Sequence, residues 1–160
     1  MQASKLLLFI ILVASIVGFV DASYLAAKYY SGSAVECAIL AGCAQVTTSK
    51  YAEVAGVSIA LVGAIYYFAL FVLGILFREK SETRFLVAII ALSGLGFIAS
   101  VWFTYLQIAV INALCVYCLT SAASTTAIFV SSLFIWRSRR EPRYNLAPAP
   151  LDNLSHGEKP

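Results

Sequence analysis

Two cysteines, Cys115 and Cys118, stand three apart in the stretch "NALCVYCLTS". A thiolate is both the nucleophile of disulfide exchange and a ligand for soft metals, so a C-x-x-C pair points to redox chemistry or to zinc. Two more cysteines, Cys37 and Cys43, enclose the segment "AILAG" and complete a set of four. The single histidine, His156, sits among scattered charges near the C-terminus and reads as solvated. What is unusual is the setting of the C-x-x-C pair. No Asp, Glu, Lys or Arg occurs from Phe85 to Trp136.

That setting is a membrane. With 61% hydrophobic and 12% charged residues and a mean hydropathy of +0.88, a chain of 160 residues carries more apolar surface than a soluble domain can bury. The expected fold is all-α, an integral membrane four-helix bundle. A span needs about 20 apolar residues. The sequence supplies spans at about 6–30, 56–77, 85–106 and 113–136, the last two divided by a turn near Thr104, Gln107 and Asn112. The start of the first span also resembles a secretory signal peptide, with Val20-Asp21-Ala22 as the cleavage site. Asp21 fits such a site poorly, and the apolar pattern resumes at Tyr24 and Leu25, which favours a retained helix. Asp21 itself reads as snorkelling toward the surface rather than relaying protons. Residues 138–160, with four prolines and scattered charges, read as a disordered tail. There is no basic, aromatic-interleaved patch of the kind that grips nucleic acid.

Four spans put both termini on one side. Lys5, Arg78, Lys80, Arg84, Arg137, Arg139, Arg140, Arg143 and Lys159 fall on that side, and only Lys28 and Lys50 fall opposite. The positive-inside rule then makes the termini cytoplasmic. The loop between the first two helices and the turn before Cys115 face outward, and all four cysteines lie on the oxidising face, where disulfides persist. Cys115 and Cys118 also fall in the first turn of the last helix, where free amide N–H groups favour a thiolate. Desolvation by lipid opposes this, and the sequence does not rank the two effects at either sulfur. Two dithiols within reach of one another form an electron relay through mixed disulfides.

These residues resemble the vitamin K epoxide reductase family, in its bacterial and archaeal branch. The resemblance spans about residues 8–136. It rests on Cys37/Cys43, on Ser49 six residues after Cys43, on "GVSIALVGAIYY" opening the second helix and on "CVYC" opening the fourth. It implies a thiol:quinone oxidoreductase that forms disulfides in a secreted thioredoxin-fold partner and reduces a membrane quinone of menaquinone or ubiquinone type. By position, Cys118 would face the quinone and Cys115 would take electrons from Cys43. Cys37 would meet the protein substrate, and Ser49 would hold the loop over the quinone. Tyr66 and Phe103 correspond to quinone-lining positions. Ile59 and Ala122 stand where animal members carry the asparagine and tyrosine that bind the vitamin, which implies plain quinone reduction without epoxide chemistry. Some homologues carry a fused thioredoxin domain. This chain shows none, so the reductant is expected to be a separate protein.

Two other readings compete. One is a non-enzymatic membrane scaffold whose cysteines form structural disulfides, but a bridge within C-x-x-C closes almost no chain and staples little. The other is a thiolate metal site, for which the Cys37–Cys43 spacing is wider than usual. Without the resemblance, Ser49 in "TTSK" reads as a helix cap or loop hydrogen bond.

Overall fold

A computed structural model describes residues 2–33, 35, 42–49, 51–54 and 56–144. Cys37, Lys50 and the tail from 145, including His156, lie outside the described residues. The order is α1 (Gln2–Tyr30), α2 (Cys43–Thr47), β1 (Glu53–Val54), β2 (Val57–Ser58), α3 (Ile59–Lys80) and α4 (Thr83–Tyr105). A π-helical turn (Leu106–Ile111) and α5 (Val116–Tyr144) complete it. Four of these helices contain segments long and apolar enough to cross a membrane: Ser4–Tyr30, Ile59–Lys80, Thr83–Ile111 and Val116–Arg140. Phe9, Ile65, Phe68, Ile98, Trp102 and Phe134 are each more than half exposed on the outer surface. In water that would be an aggregating patch; in a bilayer it is the solvent-facing side.

α1 packs along α3 and α5, and α4 packs along the same two helices. α3 and α5 therefore face each other across the bundle. Tyr67 spans the gap. Its hydroxyl lies 2.7 Å from the Ser121 carbonyl oxygen, 2.8 Å from Ser121 Oγ and 2.7 Å from Thr125 Oγ1. The ring needs room beside α1, and Gly18 supplies it. A Cβ on Gly18 would come within 2.4 Å of Tyr67 Cε1. Below Tyr67 the core is dry, built from Ile11, Leu70, Leu86, Ile89 and Ile128. Hydroxyls within the helices are satisfied locally. Ser15 donates to the Ile11 carbonyl, Ser93 to Ile89, Thr126 to Ala122 and Ser132 to Phe129. Lipid offers no other partner.

The element ends differ from the sequence expectation for local reasons. The second span begins at Ile59 rather than 56, because Val57–Ser58 pairs antiparallel with Glu53–Val54 around Gly56 at φ 80°. The expected turn at 106–113 is instead mostly a π-helical continuation of α4, stopped by Asn112 at φ 53°. The last span begins at Val116 rather than 113. It also runs past Arg137, where the sequence places the start of the tail, to Tyr144. Arg139 holds that end: Nη1 donates to the Ser81 carbonyl at 2.9 Å, and the guanidinium lies 4.7 Å from the centre of the Phe77 ring. Arg140 stacks 4.5 Å from Trp136.

Tyr67→Phe removes the hydroxyl that ties α3 to α5 through Ser121 and Thr125. Replacing a hydrogen-bonded buried hydroxyl should cost about 1 kcal/mol, read as an earlier unfolding transition of the detergent-solubilised protein. Gly18→Val, which drives a side chain into the Tyr67 ring, should cost more.

Candidate active site

The carbonyl of Cys115 accepts the N–H of Leu119 at 3.1 Å, the first hydrogen bond of α5. Cys115 is thus the N-cap residue, and Tyr117 and Cys118 are the second and third residues of the helix. An N-cap side chain satisfies the free N–H groups at those two positions. The Cys115 sulfur is placed to do so, with the Cys118 thiol beside it. The C-x-x-C spacing is that of a capping box, N-cap to third helical residue, written in sulfur. These donors pull the Cys115 thiol from 9.0 down to about 6. The Cys118 thiol is the largest cause, and the backbone N–H groups of Cys118 and Tyr117 add to it against the opposing effect of burial. Of the two sulfurs, Cys115 is the one whose acidity the helix start raises.

Gln107 completes the cap. It is 2% exposed, and its Oε1 accepts the Cys115 N–H at 2.9 Å. Its Nε2 returns to the Phe103 carbonyl at 3.4 Å. The π-helical turn brings this amide to face the cap. In sequence Gln107 reads only as a turn signal; a lone amide eight residues before a C-x-x-C in an uncharged run is the trace it leaves.

The loop is pressed onto this site. Gly42 lies against the backbone of Leu114, where a Cβ would come within 2.8 Å of the Leu114 carbonyl oxygen. Cys43 opens α2 just after it and packs with Val35, Val46, Ala113 and Cys115 in one apolar cluster. Cys43 and Cys115 are 1% and 0% exposed. Cys115 and Cys118 are free thiols. Cys43 is disulfide-bonded, and its partner sulfur lies outside the described residues. Ser49 closes α2, its Oγ donating to the Val46 carbonyl at 2.8 Å.

Beneath the loop lies a cavity of about 360 Å³, a size that suits a small-molecule site. Cys118 lines it; Cys115 does not. Ser49, Ile59, Tyr66 and Phe103 line it as well. Ala122 does not appear in the lining, although its neighbours Ser121 and Thr125 do. Val62 and Leu95 belong both to the lining and to the exposed outer surface, so the cavity opens sideways between α3 and α4. Among the described residues, two buried side-chain polar atoms have no hydrogen-bond partner, Asp21 Oδ2 and Tyr66 Oη. Both belong to this lining. An apolar slot with two open polar positions fits a flat ring bearing two oxygens. Asp21 does not snorkel: one carboxyl oxygen is buried here, because α1 turns residue 21 toward α3 and α5 rather than toward the loop surface.

The sequence model of the vitamin K epoxide reductase family matches residues 9–133. The chain belongs to this family. No curated protein matches it closely enough to count as a relative. Family membership makes the chain a membrane oxidoreductase that couples thiols to a quinone. The match contains all four cysteines, the cavity and both residues that sequence reasoning passed over, Gln107 and Asp21.

If the sulfur cap sets the acidity of Cys115 in this family member, thiolate absorbance should appear as pH rises through about 6. In Cys118→Ala the main donor is gone, and the same absorbance should appear at distinctly higher pH. An ultraviolet pH titration of the two proteins with the loop pair oxidised checks both. Below pH 6 Cys115 is protonated, so exchange through it should slow as pH falls.

Proposed function

We propose that this protein oxidises an extracytoplasmic thioredoxin-fold protein and passes the electrons to a membrane quinone of menaquinone or ubiquinone type. The observation that carries this reading is the separation of two adjacent sulfurs. Cys115 belongs to the cluster that holds Cys43 and is absent from the cavity lining, whereas Cys118 packs against that cluster and also lines the cavity. One sulfur meets the electron source and the other meets the sink.

The steps balance as disulfide exchange. The partner's dithiol reduces the loop pair Cys37/Cys43 and becomes a disulfide. Cys43 thiolate attacks Cys115 of an oxidised Cys115–Cys118 pair, forming Cys43–Cys115 and releasing Cys118. Cys37 then attacks Cys43, restores the loop disulfide and frees Cys115 as thiolate. The cap stabilises that leaving thiolate, which favours the forward direction. A quinone in the cavity supplies a two-electron, two-proton acceptor. Cys115 and Cys118 close their disulfide as the electrons leave through Cys118. Two free thiols side by side do nothing for a purely structural staple.

The lateral opening beside Val62 and Leu95 gives a lipid-soluble substrate a route from the bilayer. Ile59 brings no amide to the cavity, in keeping with plain quinone reduction. The charge distribution supports a topology with the termini in the cytoplasm and the cysteines outside.

The relay is tested by removing its two outer sulfurs. With Cys37→Ala and Cys118→Ala combined, a Cys43–Cys115 disulfide should accumulate under mild oxidation, seen by non-reducing peptide mapping. Adding Gly42→Val, which lifts the loop from Leu114, should reduce the yield severalfold. Absence of the Cys43–Cys115 species in the double variant would remove the relay.

A further inference from the structure

Resting on the thiol-to-quinone reading, we infer that Asp21 is a proton donor to the quinone, delivering one of the two protons that quinol formation consumes. Asp21 is the single charged residue in the cavity lining among the described residues. Its Oδ2 is buried and unpartnered. A carboxyl oxygen buried within a membrane span and without a partner is costly, and its usual justification is function. Nothing in the packing of α1 asks for an acid at this position, since Gly18, Ala22, Leu25 and Ala26 around it are all small or apolar.

The balance requires such a group. With Cys115 reacting as a thiolate, the C-x-x-C pair holds two electrons to give but a single proton, on Cys118. Quinol formation consumes two protons. Asp21 as the acid closes the account: Cys115 thiolate, Cys118 thiol, quinone and Asp21 carboxylic acid become the Cys115–Cys118 disulfide, quinol and Asp21 carboxylate. Charge is minus one on both sides. The next exchange restores the acid. Two loop thiols reduce the Cys115–Cys118 disulfide to one thiolate and one thiol, and the proton set free returns Asp21 to its acid form. The same sulfur cap that acidifies Cys115 thus creates the need for a second proton carrier.

The titratable groups facing Asp21 are Tyr67 on α3 and Cys115, Tyr117 and Cys118 at the start of α5. Tyr66 on α3 and Tyr29 and Tyr51 line the same cavity, and Lys28 lies two turns along α1. Tyr66 Oη, the other open position, serves the second quinone oxygen as a neutral hydrogen-bond donor.

Asp21→Asn keeps the shape and the hydrogen bonding and loses the proton. With the full chain in lipid nanodiscs, a reduced thioredoxin-fold dithiol as donor and a short-chain menaquinone as acceptor, quinol formation by Asp21→Asn should fall about 10²-fold. The Cys43–Cys115 disulfide should still be trapped at the undiminished yield. Asp21→Glu should recover part of the rate, and the pH profile of Asp21→Asn should lose the limb seen with the native chain. Independently of turnover, infrared difference spectra of the native protein on quinone reduction should show a protonated-carboxyl band lost, absent in Asp21→Asn. A native rate and pH profile in Asp21→Asn, alongside an inactive Cys118→Ala, would overturn the proton role and leave the relay standing. No carboxyl change in the native protein would overturn it even if the variants failed to fold. Turnover in Cys118→Ala would instead strike the underlying thiol-to-quinone reading.

Discussion

Cys115 is the N-cap residue of α5, and much of the loop-side half of the protein is arranged to set its sulfur there. A thiolate buried beside lipid is unfavourable unless donors converge on it. Here they come from two backbone N–H groups and from the neighbouring thiol. Helix-terminus effects of this kind are worth about 1–2 kcal/mol each at partly buried sites. For them to act on Cys115, α5 must begin at Val116 and no earlier. The chain therefore leaves α4 through a π-helical turn, reverses at Asn112 and runs extended into the cap. Gln107 fixes the approach by taking the one N–H that the cap cannot use.

The bundle is correspondingly uneven. The half away from the loop is filled with aliphatic side chains at zero exposure. The half beneath the loop keeps a cavity, roofed by α2 and the hairpin and floored by Tyr67. Tyr67 belongs to both: its ring packs in the dry core against Gly18, and its hydroxyl reaches α5 at Ser121 and Thr125, in the lining of the cavity. A change that loosened this side chain would disturb stability and site together. The loop contributes through close approach, with Gly42 against Leu114 bringing Cys43 into the cluster that holds Cys115.

The helices were legible because lipid demands long apolar runs and punishes interior charge, so the spans stand out in a sequence of 61% hydrophobic residues. The cysteine constellation was legible through its spacing and through the family resemblance, which the match over residues 9–133 bears out. What was lost depends on direction rather than composition. Hydropathy cannot tell that α4 widens into a π turn, so Gln107 looked like a turn residue. It cannot tell which way residue 21 points, so Asp21 looked like a surface acid. Nor does it rank the two sulfurs. The N-cap geometry does, because only the first cysteine of the pair can receive the helix N–H groups. The end of α5 was read short because a hydropathy fall ends a span but not a helix, and Arg139 and Arg140 continue it by packing on Phe77 and Trp136.

The most direct test of the central claim compares quinol formation by the purified protein with a dithiol protein as donor in three forms: native, Cys118→Ala and Cys115→Ala. Division of labour between the sulfurs requires the native protein to turn over and both variants to stop, with Cys118→Ala still able to join Cys43 to Cys115 in a disulfide when a mild oxidant is added and Cys115→Ala unable to form that bond. Quinol production at the native rate in Cys118→Ala would contradict it.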